Sequence, residues 1–178
     1  MIEIKFKNPS KPMLCLKEFY DYAVKNGEKF PEACAISSSD RCNNVDSRFI
    51  NIKYILDDEL IFFSNYKSPK AKQFESCSKI SALFFWNTIN VQIRIKAKIA
   101  KTNSKFSDLH FMDREESKNI LAIISDQSKE ISSYEDIVDK YNNFNNTQLI
   151  KRPEYWTGFS VKPVLIEFWQ EMEFRLHD

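Results

Sequence analysis

The chain has 178 residues, with 26 basic side chains against 25 acidic ones, a balance that gives no global pull towards nucleic acid or a membrane. Fifteen Phe, seven Tyr and three Trp supply ample core, while the only glycines, Gly27 and Gly158, leave no Gly-rich phosphate loop. The four cysteines lack C-x-x-C spacing or a histidine nearby, and the longest apolar run (82–86) cannot cross a bilayer, so no metal site is expected and a soluble cytoplasmic protein is.

In chain order, Leu16, Phe19, Tyr20 and Ala23 recur at helical spacing and predict an amphipathic helix over 15–26, ended by Asn26-Gly27. Strand-type runs follow at 32–38, 47–55, 59–65, 79–86 and 91–100, with Asp57-Asp58 as a hairpin turn. Ser68-Pro69 opens a short helix to about Cys77, the proline falling where its missing N–H costs nothing. In 91–100, Val91, Ile93, Ile95, Ala97 and Ile99 alternate with Gln92, Arg94, Lys96 and Lys98, the clearest two-faced strand. Residues 105–125 read as two helical pieces and 133–143 as a third helix, before a closing strand pair at 157–170 and 172–177. Many short strands with few helices fit a mainly β antiparallel barrel with peripheral helices. One domain over 1–178 is expected, with 1–30 as a helical N-terminal segment and 163–178 as a C-terminal strand pair.

Several groups carry candidate chemistry. Arg48 and Lys53 sit at odd spacing in one predicted strand, hence on opposite faces, and are either plain strand-end cations or ligands for different partners. The stretch 65–70 places Ser68 and Lys70 at a helix N-terminus, a natural anion seat. His110, Arg114 and Lys118 fall four apart along one predicted helical stripe, either a solvated face or a cationic seat for a phosphate. At the far end, Arg175 and His177 stand two apart in an extended segment and face the same side. Only two histidines and no G-x-S-x-G or H-E-x-x-H motif leave hydrolysis poorly supported.

Taken in order, the stretches 47–53 (Ser-Arg-Phe-Ile-Asn-Ile-Lys), 62–66 (Phe-Phe-Ser-Asn-Tyr), 92–95 (Gln-Ile-Arg-Ile), Ser107-Asp108 with Phe111 and Arg114, Gln127-Ser128, Arg152-Pro153 with Trp156, 166–170 (Ile-Glu-Phe-Trp-Gln) and 175–178 (Arg-Leu-His-Asp) resemble the pyridoxamine 5′-phosphate oxidase family. The resemblance runs from about Pro31 to Asp178 and implies a six-stranded antiparallel FMN-binding split β-barrel. It implies FMN contacts from Arg48, Phe49, Ile50, Asn51, Ile52, Lys53, Phe63, Ser64, Lys70, Gln92, Gln127, Ser128 and Trp169. It places Lys53, His110, Arg114 and Lys118 around the phosphate of a small phosphate-ester substrate, and Arg175 and His177 beside the substrate ring as catalytic groups. A homodimer with FMN at the subunit interface is implied, together with oxidation of pyridoxamine or pyridoxine 5′-phosphate to pyridoxal 5′-phosphate by dioxygen. A phenazine-type flavin oxidase and a non-catalytic binding protein for FMN or pyridoxal phosphate are the alternatives. The sequence departs from the family pattern at Pro69 (usually arginine), Phe63 (tyrosine), His110 (tyrosine) and Lys118 (serine), and does not reach a further flavin-contacting arginine beyond Asp178.

Overall fold

The computed structural model describes residues 1–125, 131, 133–144 and 151–171. In chain order these form β1 (Glu3–Lys5), α1 (Lys11–Lys25), β2 (Ala33–Ser39), β3 (Val45–Asn51), β4 (Tyr54–Leu56), β5 (Glu59–Asn65), α2 (Pro69–Ser76), β6 (Lys79–Trp86), β7 (Val91–Lys101), α3 (Ser104–Asp113), α4 (Glu116–Ile124), α5 (Tyr134–Asn142) and β8 (Trp156–Gln170). All eight strands join one sheet in the order β1-β4-β5-β8-β7-β6-β2-β3.

Two corrections follow for the expected barrel. Its described strands number eight rather than six, and the sheet is mixed, because β1 pairs parallel to β4 while the remaining pairs are antiparallel. The segment 47–55, predicted as one strand, divides at Ile52-Lys53. The Ile52 amide donates to Glu32 O at 2.9 Å, next to β2, whereas the Lys53 amide donates to Ile61 O at 2.8 Å, in β5. Consecutive N–H groups on an extended chain point opposite ways, and here each finds a different strand. Since β3 ends one side of the strand order and β4 lies beside the other end, this two-residue link curls the sheet upon itself.

Period-2 patterning decides what fills the interior. On β7, Val91, Ile93, Ile95, Ala97 and Ile99 are buried, while Arg94, Lys96 and Lys98 are exposed, as the alternation requires. They meet Phe62, Phe84, Trp86 and Phe159 from neighbouring strands. Helix α1 adds Met13, Leu16, Tyr20 and Ala23 to this core, and it starts earlier than the apolar period indicated, with Ser10 as N-cap and Pro12 in its first turn.

The Asp57-Asp58 turn closes a two-residue hairpin between β4 and β5, with Asp57 at φ 46°. The Asp57 carboxylate accepts from the amides of Lys7 (2.6 Å) and Asn8 (2.8 Å), so the turn also anchors the N-terminal segment. These bonds, that from Asn8 foremost, favour the charged form and hold its pKa below the usual carboxylate range. Opposite Lys96/Ala97 a bulge in β8 admits Val164 as an extra, exposed residue. The expected strand over 172–177 lies outside the described residues.

Candidate active site

The seam between β3 and β4 opens into a cleft of ≈300 Å³, lined by Phe49, Ile50, Asn51, Lys53, Phe63, Ser64, Lys70, His110, Arg114 and Trp156. Strand chemistry places the first six: β3 delivers 49–51, the link delivers Lys53, and β5 delivers Phe63 and Ser64. Lys70 comes from the first turn of α2. His110 and Arg114 come from the end of α3, whose N-cap Asn103 accepts from the Lys105 amide at 2.8 Å.

Aromatic packing fixes the cleft wall. Phe63 stacks on His110 with centroids 3.9 Å apart and planes 8° from parallel, and on Trp156 at 4.9 Å. Tyr54 approaches the same stack edge-on, 5.3 Å from the His110 ring. Its hydroxyl lies 2.7 Å from His110 Nδ1. The Arg114 guanidinium sits 5.3 Å from the Trp156 ring centre, a cation–π contact.

The residues lining the cleft bring positive charge and no carboxylate, although Glu115 acts on Arg114 from outside the lining. Burial, followed by the nearby Arg114 and Lys53 charges, pushes the His110 imidazole down to about 4, so the ring is neutral at ordinary pH. Burial, helped by Arg48, lowers the Lys70 ammonium, and burial also lowers the Arg114 guanidinium. Arg114 Nη1 is buried and has no hydrogen-bond partner among the described residues. A buried donor left unpaired costs roughly 1–3 kcal/mol, more for a charged group, and an anion in the cleft would relieve it.

Arg48 stands just behind this wall. It donates from Nη1 to Ser38 Oγ (2.7 Å) and from Nη2 to Gln73 Oε1 (3.0 Å), and Gln73 in turn donates to Asp46 Oδ2. Ile52 is buried in the core rather than exposed to the cleft. Gln92 and Trp169 are direct cross-strand neighbours on β7 and β8, and neither lines the cleft. Trp169 lies at the opposite end of β8 from Trp156, roughly 40 Å of extended chain away at about 3.3 Å per residue.

The cationic stripe predicted on one helix is broken. α3 ends at Asp113, Arg114 adopts an extended conformation (φ −77°, ψ 149°), and Lys118 belongs to the separate helix α4. Lys118 pairs with Glu115 at 2.7 Å and does not line the cleft. Asn119 holds this break by donating to Phe111 O at 2.7 Å. Gln127, Ser128, Arg175 and His177 lie outside the described residues.

Three contributors carry no strong local signal. Tyr54 meets His110 across 56 positions of sequence. Arg152 ties α3 to β8 by donating to Asp108 Oδ1 (2.6 Å), Ser104 Oγ (2.9 Å) and Trp156 O. Gly158 leaves the space that Phe63 and Thr102 occupy: a Cβ there would meet Phe63 Cε1 at 3.0 Å and Thr102 Cγ2 at 3.1 Å. Scarcity of glycine was the one available hint at that position.

Comparison with known proteins fits this architecture. The family model for the pyridoxine 5′-phosphate oxidase C-terminal dimerisation region matches residues 156–178. The pyridoxine/pyridoxamine 5′-phosphate oxidase of Bartonella henselae is 31% identical over 176 residues, spanning 97% of this chain and 85% of that protein. Its counterpart from Legionella pneumophila (strain Lens) is 32% identical over 170 residues, spanning 94% and 79%. Among solved structures, PhzG from Burkholderia lata in complex with tetrahydrophenazine-1-carboxylic acid superposes with a TM-score of 0.89 at 24% identity, covering 96% of this chain and 85% of that one. A pyridoxamine 5′-phosphate oxidase-related, FMN binding protein from Nostoc punctiforme gives 0.70 at 9% identity, covering 97% and 96%. The curled sheet is thus the split barrel of FMN-binding proteins, here in an oxidoreductase. The chain belongs to the pyridoxine/pyridoxamine 5′-phosphate oxidase family.

Proposed function

We propose that this protein oxidises pyridoxamine or pyridoxine 5′-phosphate to pyridoxal 5′-phosphate, with FMN as cofactor and dioxygen as acceptor. The observation that carries the reading is the meeting of Lys53, His110 and Arg114 at one cleft, with Arg114 Nη1 buried and unpartnered. Two cations and an imidazole suit the dianion of a phosphate ester. That remote grip orients the ring of the substrate for reaction at its C4′ carbon.

The residues at the cleft also suit FMN. Lys70 has no ion pair among the described residues, Arg48 stands behind the same wall, and Ser64 adds a hydroxyl. Arg48, Phe49, Ile50, Asn51, Lys53, Phe63, Ser64 and Lys70 would hold the cofactor from one protomer, with Ile52 fixing their strand link from the core. When bound, FMN supplies the two-electron carrier; for the amine the overall change is substrate, dioxygen and water to aldehyde, ammonia and hydrogen peroxide. Arg175 and His177 are assigned to position the substrate ring. Lys118 is assigned only a peripheral charge, because it lies outside the cleft lining and its ammonium is engaged by Glu115.

Gln92, Trp169, Gln127 and Ser128 are assigned to FMN as well, in a homodimer with FMN at the interface. The matched dimerisation region supports this, as do the exposed apolar side chains Phe49, Phe85, Val164 and Leu165 on β3, β6 and β8. The distance of Trp169 from the cleft along β8 supports a contribution from the second copy. The whole chain acts as one such unit.

The test is to load the full chain with FMN, add pyridoxamine 5′-phosphate, and follow oxygen uptake with the rise of aldehyde absorbance. Turnover supports the reading. A yellow protein inert to both phosphate esters would direct attention to another substrate on this fold, and failure to take up FMN would overturn the cofactor assignment.

A further inference from the structure

We propose that Tyr54 is a positioning residue that fixes the tautomer of His110, so that the imidazole presents an N–H at Nε2 to a phosphate oxygen in the cleft. This rests on the functional reading above for the identity of the anion, while the hold of Tyr54 on the ring stands on geometry alone.

The Tyr54 hydroxyl lies 2.7 Å from His110 Nδ1, and no other hydrogen bond engages the ring among the described residues. Two proton placements are compatible with that distance. In one, the phenol donates to Nδ1 and the ring proton sits on Nε2. In the other, Nδ1–H donates to the phenol oxygen, the phenol proton has no acceptor among the described residues, and Nε2 turns a lone pair outward. Burial makes the Tyr54 phenol a weaker acid than usual, so it keeps its proton. Burial, with the neighbouring Arg114 and Lys53 charges, disfavours a doubly protonated ring, so one proton must be placed on one of two nitrogens. A lone pair aimed into an anion site would repel the ligand that the two cations attract. The first placement pairs the phenol with Nδ1 and leaves the Nε2 proton for an anion in the cleft.

Both rings are held so that this choice persists. Tyr54 belongs to β4, which is hydrogen-bonded on both sides by β1 and β5. Its ring is wedged edge-on against Phe63 at 6.2 Å and Phe106 at 5.2 Å. His110 lies flat on Phe63. With Nε2–H in place, the cleft offers donors from Lys53, Arg114 and His110 and no acceptor from those three residues, which favours a fully ionised phosphate over a ligand bringing its own proton.

The experiment uses the full chain with ¹⁵N-labelled histidine, whose two imidazoles, His110 and His177, are separated by comparison with His110→Gln. Nitrogen shifts report the tautomer directly. Inorganic phosphate is the titrant, and pyridoxamine 5′-phosphate is added in a second titration. Wild-type His110 is expected to carry its proton on Nε2, and Tyr54→Phe, which keeps the ring packing, to populate both tautomers and to bind phosphate about three- to tenfold more weakly. A wild-type proton on Nδ1, or an unchanged tautomer in Tyr54→Phe, would overturn the proposal. If Tyr54→Phe does not fold, the wild-type spectrum alone decides. If wild type shows Nε2–H yet binds neither phosphate compound, the functional reading fails and the phosphate role of His110 fails with it, whereas the Tyr54 constraint is upheld.

Discussion

Phe63 and His110 lie face to face, 3.9 Å between centroids, and β8 pairs Gly158 directly with Phe63. The place of the His110 ring therefore depends on a missing side chain on the neighbouring strand, where a Cβ would meet Phe63 and Thr102.

Gly158→Ala is expected to destabilise the protein by about 1–3 kcal/mol, the usual cost of forcing a methyl into packed space. The new Cβ would press on Thr102 and on Phe63, and so displace His110. Urea unfolding measures the loss, and an unchanged midpoint would show that Thr102 swings aside freely.

Arg114→Met is expected to weaken binding of inorganic phosphate about ten- to a hundredfold, the range for one charge-assisted hydrogen bond. The ligand-free protein should lose little stability or gain some, because the variant removes a buried guanidinium nitrogen without a partner. Calorimetric titration and thermal unfolding of the same preparation test both halves.

Acid should weaken the fold through His110. The folded ring titrates at about 4 against an ordinary 6.5, so in this window the unfolded chain takes up a proton that the folded one refuses. The stability tied to the neutral ring is complete above pH 6.5 and declines as pH falls towards 4. Carboxylates such as Asp40 and Asp57 titrate lower down, so the useful measurement is the difference between wild type and His110→Gln at pH 7 and pH 4.5. The variant should show the flatter dependence.

Arg152→Lys is expected to behave nearly like Arg152→Ala. The guanidinium reaches Asp108, Ser104 and the Trp156 carbonyl at once, a fork that an ammonium cannot reproduce. Both variants should lower stability by roughly 1.5–3 kcal/mol and should weaken phosphate binding by loosening α3 against β8. Full recovery by lysine would reduce the role of Arg152 to charge alone.

Phe49→Glu addresses assembly. Phe49 is 77% exposed on β3 and lines the cleft. A carboxylate there should yield a folded monomer with poor FMN retention, read by sedimentation and by flavin absorbance after gel filtration. A flavin-loaded dimer from this variant would remove Phe49 from the interface.

What could be read from the residues depended on how local the cause was. The β7 alternation, the Asp57-Asp58 hairpin and the Ser68-Pro69 helix start are set by neighbours in sequence, and each is found where expected. The division at Ile52-Lys53 was hidden because Ile50 and Ile52 continue one apolar alternation, and only distant Glu32 and Ile61 decide where their amides go. Lys53, His110 and Arg114 were expected together through the family resemblance, and they do line one cleft. Lys118 was misplaced because a helical period was carried through Arg114, where the backbone straightens. Tyr54 left no trace in the pattern, since a phenol in a strand is ordinarily just core.

The peptide between Ile52 and Lys53 works as a clasp. One amide fastens beside β2 and the next to β5, so the cleft lysine is in place only while the two sides of the curled sheet stay joined there. Any anion that bridges Lys53 to groups rooted on β3 or α2 therefore tightens the clasp, and scission of that peptide should cost the protein its ligand before it costs the rest of its sheet.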